Sequence, residues 1–374
     1  MTHAARFSVV HREGAARTGL LGLTHGDVAT PTFMPVGTRG AVKGLDASDL
    51  RTVGAQMVLS NTYHLMLRPG AEVVAELGGL HGFMGWQGPI LTDSGGYQIF
   101  SLEPVITENH AAFRSSYDGS QVLLSPEESM RVQELLGADV AMVLDVLIGL
   151  PADRTEVVSA MEQTLRWSER SLAAHRRPDQ ALFGIVQGGV DPDLRAESAR
   201  RTAELGFSGF GIGGLSVGET PIDRNRAIEA VVGELPENKV RYVMGLGDSE
   251  GVLDAIARGC DLFDCVWPTR LARHGRILTP TGDYNLRRSE HSRDPRPLSQ
   301  ECGCLTCTGY SRGYLRHLLA TNELTVFRLA SIHNLWYTLE LLRSAREAIS
   351  SGRFAAFRQE VVDRRNGGRT TEER

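Results

Sequence analysis

Apolar residues recur along this chain in short runs, and many of the runs are followed by a segment whose apolar positions repeat with helical spacing. The runs predict strands over Thr32–Val36, Gln56–Ser60, Pro89–Thr92, Asp139–Leu144, Leu182–Val186, Ser208–Ile212, Arg241–Met244 and Asp261–Val266. Between them the spacing predicts helices over Ala47–Gly54, Pro126–Gly137, Arg154–Arg177, Pro192–Gly206, Pro221–Glu234 and Ser249–Arg258. Several open on a capping residue followed by proline in the first turn, as in Ser125-Pro126 and Asp191-Pro192. Strands alternating with helices imply parallel βαβ units. Eight of them predict an α/β fold, a (β/α)8 TIM barrel, with a doubly wound open sheet as the competing architecture.

The ends of the strands favour the barrel. The third ends in Asp93-Ser94-Gly95-Gly96-Tyr97-Gln98, the fourth in Asp145, the fifth in Gln187-Gly188-Gly189 and the sixth in Gly211-Ile212-Gly213-Gly214. The seventh ends in Gly245-Leu246-Gly247 and the eighth near Asp264. One such cluster is an ordinary turn. Three aspartates and a glutamine in equivalent places suit a barrel, because there all C-terminal strand ends converge on one mouth.

The alternation places a barrel core in residues 1–270, with a hairpin inserted at about 101–124 that turns at Asp118-Gly119. A metal-binding subdomain is expected over 271–335, a C-terminal helical region over 336–363, and a solvated tail over 364–374. The net charge of −5 gives no global field for a polyanion, so a nucleic acid would need a local basic patch. No apolar run reaches the roughly 18 residues of a membrane span, and the N-terminus lacks a signal-peptide core. A cytoplasmic protein without membrane contact is the expectation.

The five cysteines do not form a disulfide framework, since three crowd into Cys302-Gly303-Cys304-Leu305-Thr306-Cys307. Three thiolates at this spacing suit a tetrahedral zinc ion, with His333 the favoured fourth ligand and His317 and His291 the alternatives. A site closed by four protein ligands is structural.

Asp264 lies in the apolar run CDLFDCVW, where an ionised carboxylate is costly unless it faces a functional cavity. With Asp93 and Asp145 it projects into the inferred mouth. Two facing carboxylates can divide nucleophilic and acid/base work, as cleavage or exchange of an N-glycosidic bond requires. Helix capping or ion pairing is the bland alternative, weak for Asp264 and stronger for Asp145. Gln187 and Asp145 offer donors and acceptors to a flat heterocycle, and Tyr97 and Met244 are placed to sandwich its ring. Ser94 is not in a nucleophile-elbow motif and belongs with the binding residues. Between Arg270 and Arg296 stand seven arginines and two histidines against three acids, a local patch for a phosphate backbone beside the mouth.

The segments LSNTYHLMLRPG, LTDSGGYQIFSL, FGIVQGG, GIGGLSVGE, YVMGLG, DLFDCVWPTR and CGCLTC, together with His333, resemble those of bacterial-type tRNA-guanine transglycosylases (queuine tRNA-ribosyltransferases) over roughly residues 6–360. The resemblance implies a homodimer that exchanges the guanine at the wobble position of tRNAs with a G-U-N anticodon for a 7-deazaguanine. It implies one structural zinc per chain and neither nucleotide nor redox cofactor. Asp264 matches the nucleophile and Asp93 the general acid/base. Asp145, Gln187, Gly214 and Leu215 match the purine-binding set, Tyr97 and Met244 the stacking pair. Arg270 and Arg273 match the anticodon-loop contacts, and Cys302, Cys304, Cys307 and His333 the zinc ligands.

Val146-Leu147 stands where bacterial members carry Glu-Cys, while Val217 is of the bacterial kind. Val217 favours 7-aminomethyl-7-deazaguanine as the incoming base, and the Val146-Leu147 pair leaves the bulkier queuine as the alternative. Two other readings use the same residues: a barrel N-glycoside hydrolase, and a non-catalytic tRNA-binding subunit.

Overall fold

The computed structural model describes residues 4–369. Eight parallel strands close into a barrel: β1 (Thr32–Gly37), β2 (Val58–Ser60), β3 (Ile90–Thr92), β4 (Val140–Met142), β5 (Ala181–Val186), β6 (Gly209–Ile212), β7 (Val240–Val243) and β8 (Leu262–Cys265). Closure runs through β8 and β1, which pair in parallel from Leu262 with Thr32 to Cys265 with Pro35. That excludes the open sheet. β3 and β5 are buried along their whole length, as expected for strands covered by helices outside and side chains within.

The floor of the barrel, at the N-terminal strand ends, is sealed by an antiparallel sheet that the apolar pattern did not predict. Its strands are Arg6–Glu13, Ala16–Leu23 and Gly26–Thr30. Each of its polar anchors grips a residue just before a barrel strand. Arg17, fully buried, donates to both oxygens of Asp261 at 2.9 and 2.6 Å and to the carbonyls of Glu237 and Lys239 at 2.7 and 2.8 Å. Thr24 Oγ1 donates to the Asp179 carbonyl, and the His25 amide donates to Asp139 Oδ1. Burial pushes the Asp261 carboxyl up while the Arg17 guanidinium draws it down.

Insertions decorate the other end. The segment after β3 forms three short strands, Val105–Ile106, Ala111–Arg114 and Gln121–Leu124, so the expected hairpin is a meander. Asp118-Gly119 lies within a longer loop, closed by the Ser115 amide donating to the Ser120 carbonyl at 2.8 Å. After β8 comes helix Trp267–Arg273, then the subdomain that carries the cysteines.

Two expected boundaries differ from the structure. One 27-residue helix, Leu324–Ser350, crosses the division placed at 335/336, because its buried face is continuous from Val326 to Ile349. The tail expected from 364 is helical as far as Arg369, within helix Phe354–Arg369, and buried Arg365 donates to Asp283 at 2.9 Å. Residues 370–374 lie outside the described residues. Among the described residues, no helix is long and apolar enough to cross a membrane.

Arg17→Met would leave Asp261 buried without its partner and should cost about 3–5 kcal/mol. Urea unfolding of the variant measures this; an unchanged midpoint would remove the Arg17–Asp261 pair from the interactions that hold the floor.

Candidate active site and metal centre

A cavity of about 230 Å³ opens at the C-terminal strand ends, lined by Asp93, Ser94, Tyr97, Asp145, Gly214, Leu215, Met244 and Asp264 among others. The mouth therefore gathers the three aspartates predicted for it. Two others of the expected set stand differently. Tyr97, on the short helix Gly96–Phe100, is 61% exposed at the rim. Gln187 lies behind the cavity wall, where its Nε2 donates to Asp145 Oδ2 at 2.7 Å.

Asp93 follows β3 directly. Its Oδ1 accepts from the amides of Thr62 and Gly95 at 2.9 and 3.2 Å, and its Oδ2 accepts from Asn61 Nδ2 at 2.5 Å. Asn61 also caps helix Thr62–Leu67, its Oδ1 accepting from the His64 amide, so one residue starts the helix and aims a donor at the carboxylate. Burial raises Asp93 to about 7 against these bonds, and the Asp264 charge adds to the rise. A carboxyl near 7 can hold and release a proton at neutral pH.

Asp264 is on β8, and its donors come from the β7 side. Tyr242 Oη donates to its Oδ1 at 2.5 Å and the Gly245 amide to the same oxygen at 2.8 Å. Both bonds fall on Oδ1, and among the described residues no protein donor reaches Oδ2. Burial raises this carboxyl as well, while the Tyr242 hydroxyl opposes the shift. Sequence reasoning missed Tyr242, which reads as apolar filling in the run Arg241–Met244. It also missed Asn61, although an Asn before a helical segment is a capping signal.

Asp145 is 8% exposed, and Ser94 Oγ donates to its Oδ1 at 3.1 Å. With Gln187 on the other oxygen, the carboxylate is fixed while each oxygen retains accepting capacity. Burial raises its pKa too. Gly96 approaches so closely that a Cβ there would come within 2.5 Å of Asp145 Oδ1. Arg270 and Arg273 lie on helix Trp267–Arg273 beside the mouth, the first exposed, the second with a buried Nη1 that has no hydrogen-bond partner among the described residues.

Cys302, Cys304, Cys307 and His333 converge, with His333 Nδ1 at 3.6, 3.6 and 3.2 Å from the three sulfurs. Metal bonds of about 2.3 Å to sulfur and about 2.0 Å to nitrogen, at a tetrahedral angle, put S and N about 3.5 Å apart. The donor set therefore fits a metal ion. His333 Nε2 lies 2.9 Å from the Leu278 carbonyl, which places the ring proton there and turns the Nδ1 lone pair to the sulfurs. Next in sequence, buried Asn334 donates to the carbonyls of Pro268 and Arg276 and accepts from the Leu278 amide. His291 and His317 take no part in the cluster.

His25, His81 and Asp139 form a second group on the barrel floor. Its two imidazoles stack with centroids 3.6 Å apart and planes 18° apart. An imidazole binds a metal through a lone pair in its ring plane, and two stacked, nearly parallel rings cannot both aim at one ion. His25 Nδ1 and His81 Nε2 instead lie 2.9 and 3.2 Å from the Asp139 carboxylate, a hydrogen-bonded latch between the floor sheet and the barrel.

A closed parallel barrel with three carboxylates gathered at its C-terminal mouth is the architecture of a barrel enzyme. The profile of queuine tRNA-ribosyltransferase matches residues 12–367. Queuine tRNA-ribosyltransferase of Moorella thermoacetica is 48% identical over 98% of this chain and 99% of its own length. That of Methylobacillus flagellatus is 49% identical over 95% of this chain and 96% of its own, and those of Xylella fastidiosa stand at 49% over 95% of both. The chain belongs to the queuine tRNA-ribosyltransferase family.

The purified chain should carry about one thiophilic metal ion, lost in Cys307→Ala with a fall in the thermal unfolding midpoint, since metal binding free energy adds to folding free energy. Elemental analysis and calorimetry read both quantities. A chelated chain with an unchanged midpoint would contradict a role for the ion in stability.

Proposed function

We propose that this chain, a tRNA-guanine transglycosylase, replaces the wobble guanine of tRNA with 7-aminomethyl-7-deazaguanine through a covalent bond between Asp264 and ribose C1′. The observation that carries the reading is the pair of buried carboxylates at one cavity, each held by its own donors, with the Asp264 charge adding to the rise of Asp93. Asp264 Oδ2 attacks C1′ as the bond to guanine N9 breaks, and the Asp93 proton passes to the departing base. The incoming base then gives its N9 proton to Asp93 and attacks C1′, which frees Asp264. Tyr242 and Gly245 hold the nucleophile's other oxygen and stabilise the carboxylate as it leaves.

The base lies between Tyr97 and Met244. A guanine edge presents adjacent N–H donors, which match the acceptors of Asp145, while Ser94 and Gln187 keep that carboxylate in place. Gly214 and Leu215 supply backbone groups on the same wall. Arg270 and Arg273 neutralise phosphates of the anticodon loop. The cysteine–histidine centre holds zinc, which would tie the inserted subdomain to helix Leu324–Ser350. A homodimer acting in the cytoplasm on tRNAs with a G-U-N anticodon completes the reading, on family resemblance. Queuine is the second candidate for the incoming base, favoured by the apolar Leu147 on the cavity wall.

Exchange of radiolabelled guanine into tRNA, with both deazaguanines as competitors, tests the proposal. Asp264→Asn should abolish exchange with fold and metal content intact; near-normal turnover would refute the nucleophile. Guanine release without incorporation would mean hydrolysis, and competition by queuine alone would reverse the choice of base.

The pH dependence has a defined sign. Asp93 must be protonated for the first step, so kcat/KM for tRNA should fall as pH rises through about 7. Asp264 must be ionised, so the rate should also fall on the acid side, at a pH above the ordinary carboxylate range. Asp93→Asn should remove the basic limb and cost about 10²–10⁴-fold in rate. A basic limb that persists in that variant would transfer the proton role to another group.

A further inference from the structure

Helix Pro192–Glu204 buries Leu194, Arg195, Ser198, Ala199 and Thr202 against the barrel. Arg195 is the anomaly among them, a fully buried guanidinium with no carboxylate among the described residues in hydrogen-bond contact. Burial pushes it down to about 9, so it stays charged at neutral pH. A buried cation without an ion pair costs several kcal/mol, and an apolar side chain of like volume would fill the space at less cost.

Its contacts show what the charge does. Nε donates to the Gly189 carbonyl at 2.7 Å, Nη1 to the Val186 and Gly213 carbonyls at 2.9 and 2.8 Å, and Nη2 to the Gly214 carbonyl at 3.3 Å. One planar fork therefore joins the loops after β5 and β6. In a trans peptide the N–H points opposite to the C=O. Gripping the carbonyls of Val186, Gly213 and Gly214 thus turns the amides of Gln187, Gly214 and Leu215 away from Arg195. The far side of the β6 loop is held by Glu219, whose carboxylate accepts from the amides of Ser216 and Val217 at 2.6 and 3.0 Å. Between the two grips lie Gly214 and Leu215, both on the cavity wall.

We infer that Arg195 is a positioning residue for the purine base, fixing the peptide planes at Gln187, Gly214 and Leu215 without touching the base itself. The inference rests on the base site proposed above. A role in stability alone would lower the unfolding midpoint and leave base affinity unchanged. A positioning role separates base affinity from both turnover and tRNA binding.

Arg195→Met, Arg195→Lys and, as a reference for the base site, Asp145→Asn are compared in guanine exchange at saturating tRNA. Arg195→Met should raise KM for the base about 10–100-fold, as expected when a recognition element shifts by an ångström or less. kcat should fall by less than KM rises, and the Kd for tRNA should stay at the wild-type value. Arg195→Lys, which keeps the charge but has no fork, should fall between Met and wild type and decides the matter if Arg195→Met does not fold. A wild-type KM for the base in Arg195→Lys, alongside a raised KM in Asp145→Asn, would overturn the positioning role and leave the base site standing. A wild-type KM in both would overturn the inference and the base site together.

Discussion

Two carboxylates at one water-poor cavity repel each other, and each loses hydration. The fold around Asp93 and Asp264 is arranged against that repulsion. Asp93 is met by three donors, two from the Asn61-Thr62 turn after β2 and one from its own loop at Gly95. Asp264 is met by two, both from the end of β7. These donors arrive only if β2 and β3 pair with Ser60 beside Thr92 and β7 and β8 with Val243 beside Phe263. Register and closure are thus preconditions of the chemistry. The remaining imbalance is met by a proton, since burial and the Asp264 charge raise Asp93 to about 7 although all three donors oppose that rise. Burial, with the Asp264 charge adding to it, gives the site one carboxyl able to hold a proton at neutral pH.

The same barrel separates this strain from its stability. On the floor, carboxylates are matched by fixed partners: Asp261 by Arg17, and Asp139 by two backbone amides and two stacked imidazoles. At the mouth, among the described residues, Asp145 has only neutral donors and Asp264 retains an oxygen without one. Helix Leu324–Ser350 links the two ends of the molecule. Arg328 pairs with Asp49 on the first barrel helix, His333 faces the cysteines, and Asn334 ties the helix to the segment after β8.

The barrel was legible because parallel strands buried on both faces are apolar runs, and its mouth was legible because polar residues end those runs. The floor sheet was not. Its second strand, Ala16–Leu23, contains Gly19, whose missing side chain leaves room for the Phe7 ring, so the segment lacks the even alternation of a half-exposed strand. The short helices after β2 and β3 span only five or six residues, too few for a period to emerge. The expected tail at 364 failed because Arg365 looks solvated in sequence and is buried through bonds to Thr279, Asp283 and Tyr337, all distant along the chain. Arg195 had a signal that went unread. Leu194, Arg195, Ser198, Ala199 and Thr202 follow the spacing of one helical face, so the arginine lies on the stripe that packs inward.

The glycines of the sixth strand's loop make sense in the same terms. Gly214 has φ +66°, and a Cβ there would run into Gln187 Oε1. At Gly213 a Cβ would come within 2.9 Å of Gln187 Nε2, the atom that donates to Asp145. A side chain at either position would displace the glutamine behind the cavity wall, release the Asp145 carboxylate that it holds and prise the loop from Arg195. Three constraints therefore meet in one place: a backbone bare enough to approach Gln187, a guanidinium that fixes its peptide planes, and a carboxylate that the glutamine holds. None of them suffices alone, because without the guanidinium the carbonyls of Gly213 and Gly214 lose the donor that orients them. A buried arginine without glycines beside it would lack carbonyls close enough to grip. The apolar residues around them keep water from competing for the same bonds, which strengthens each one.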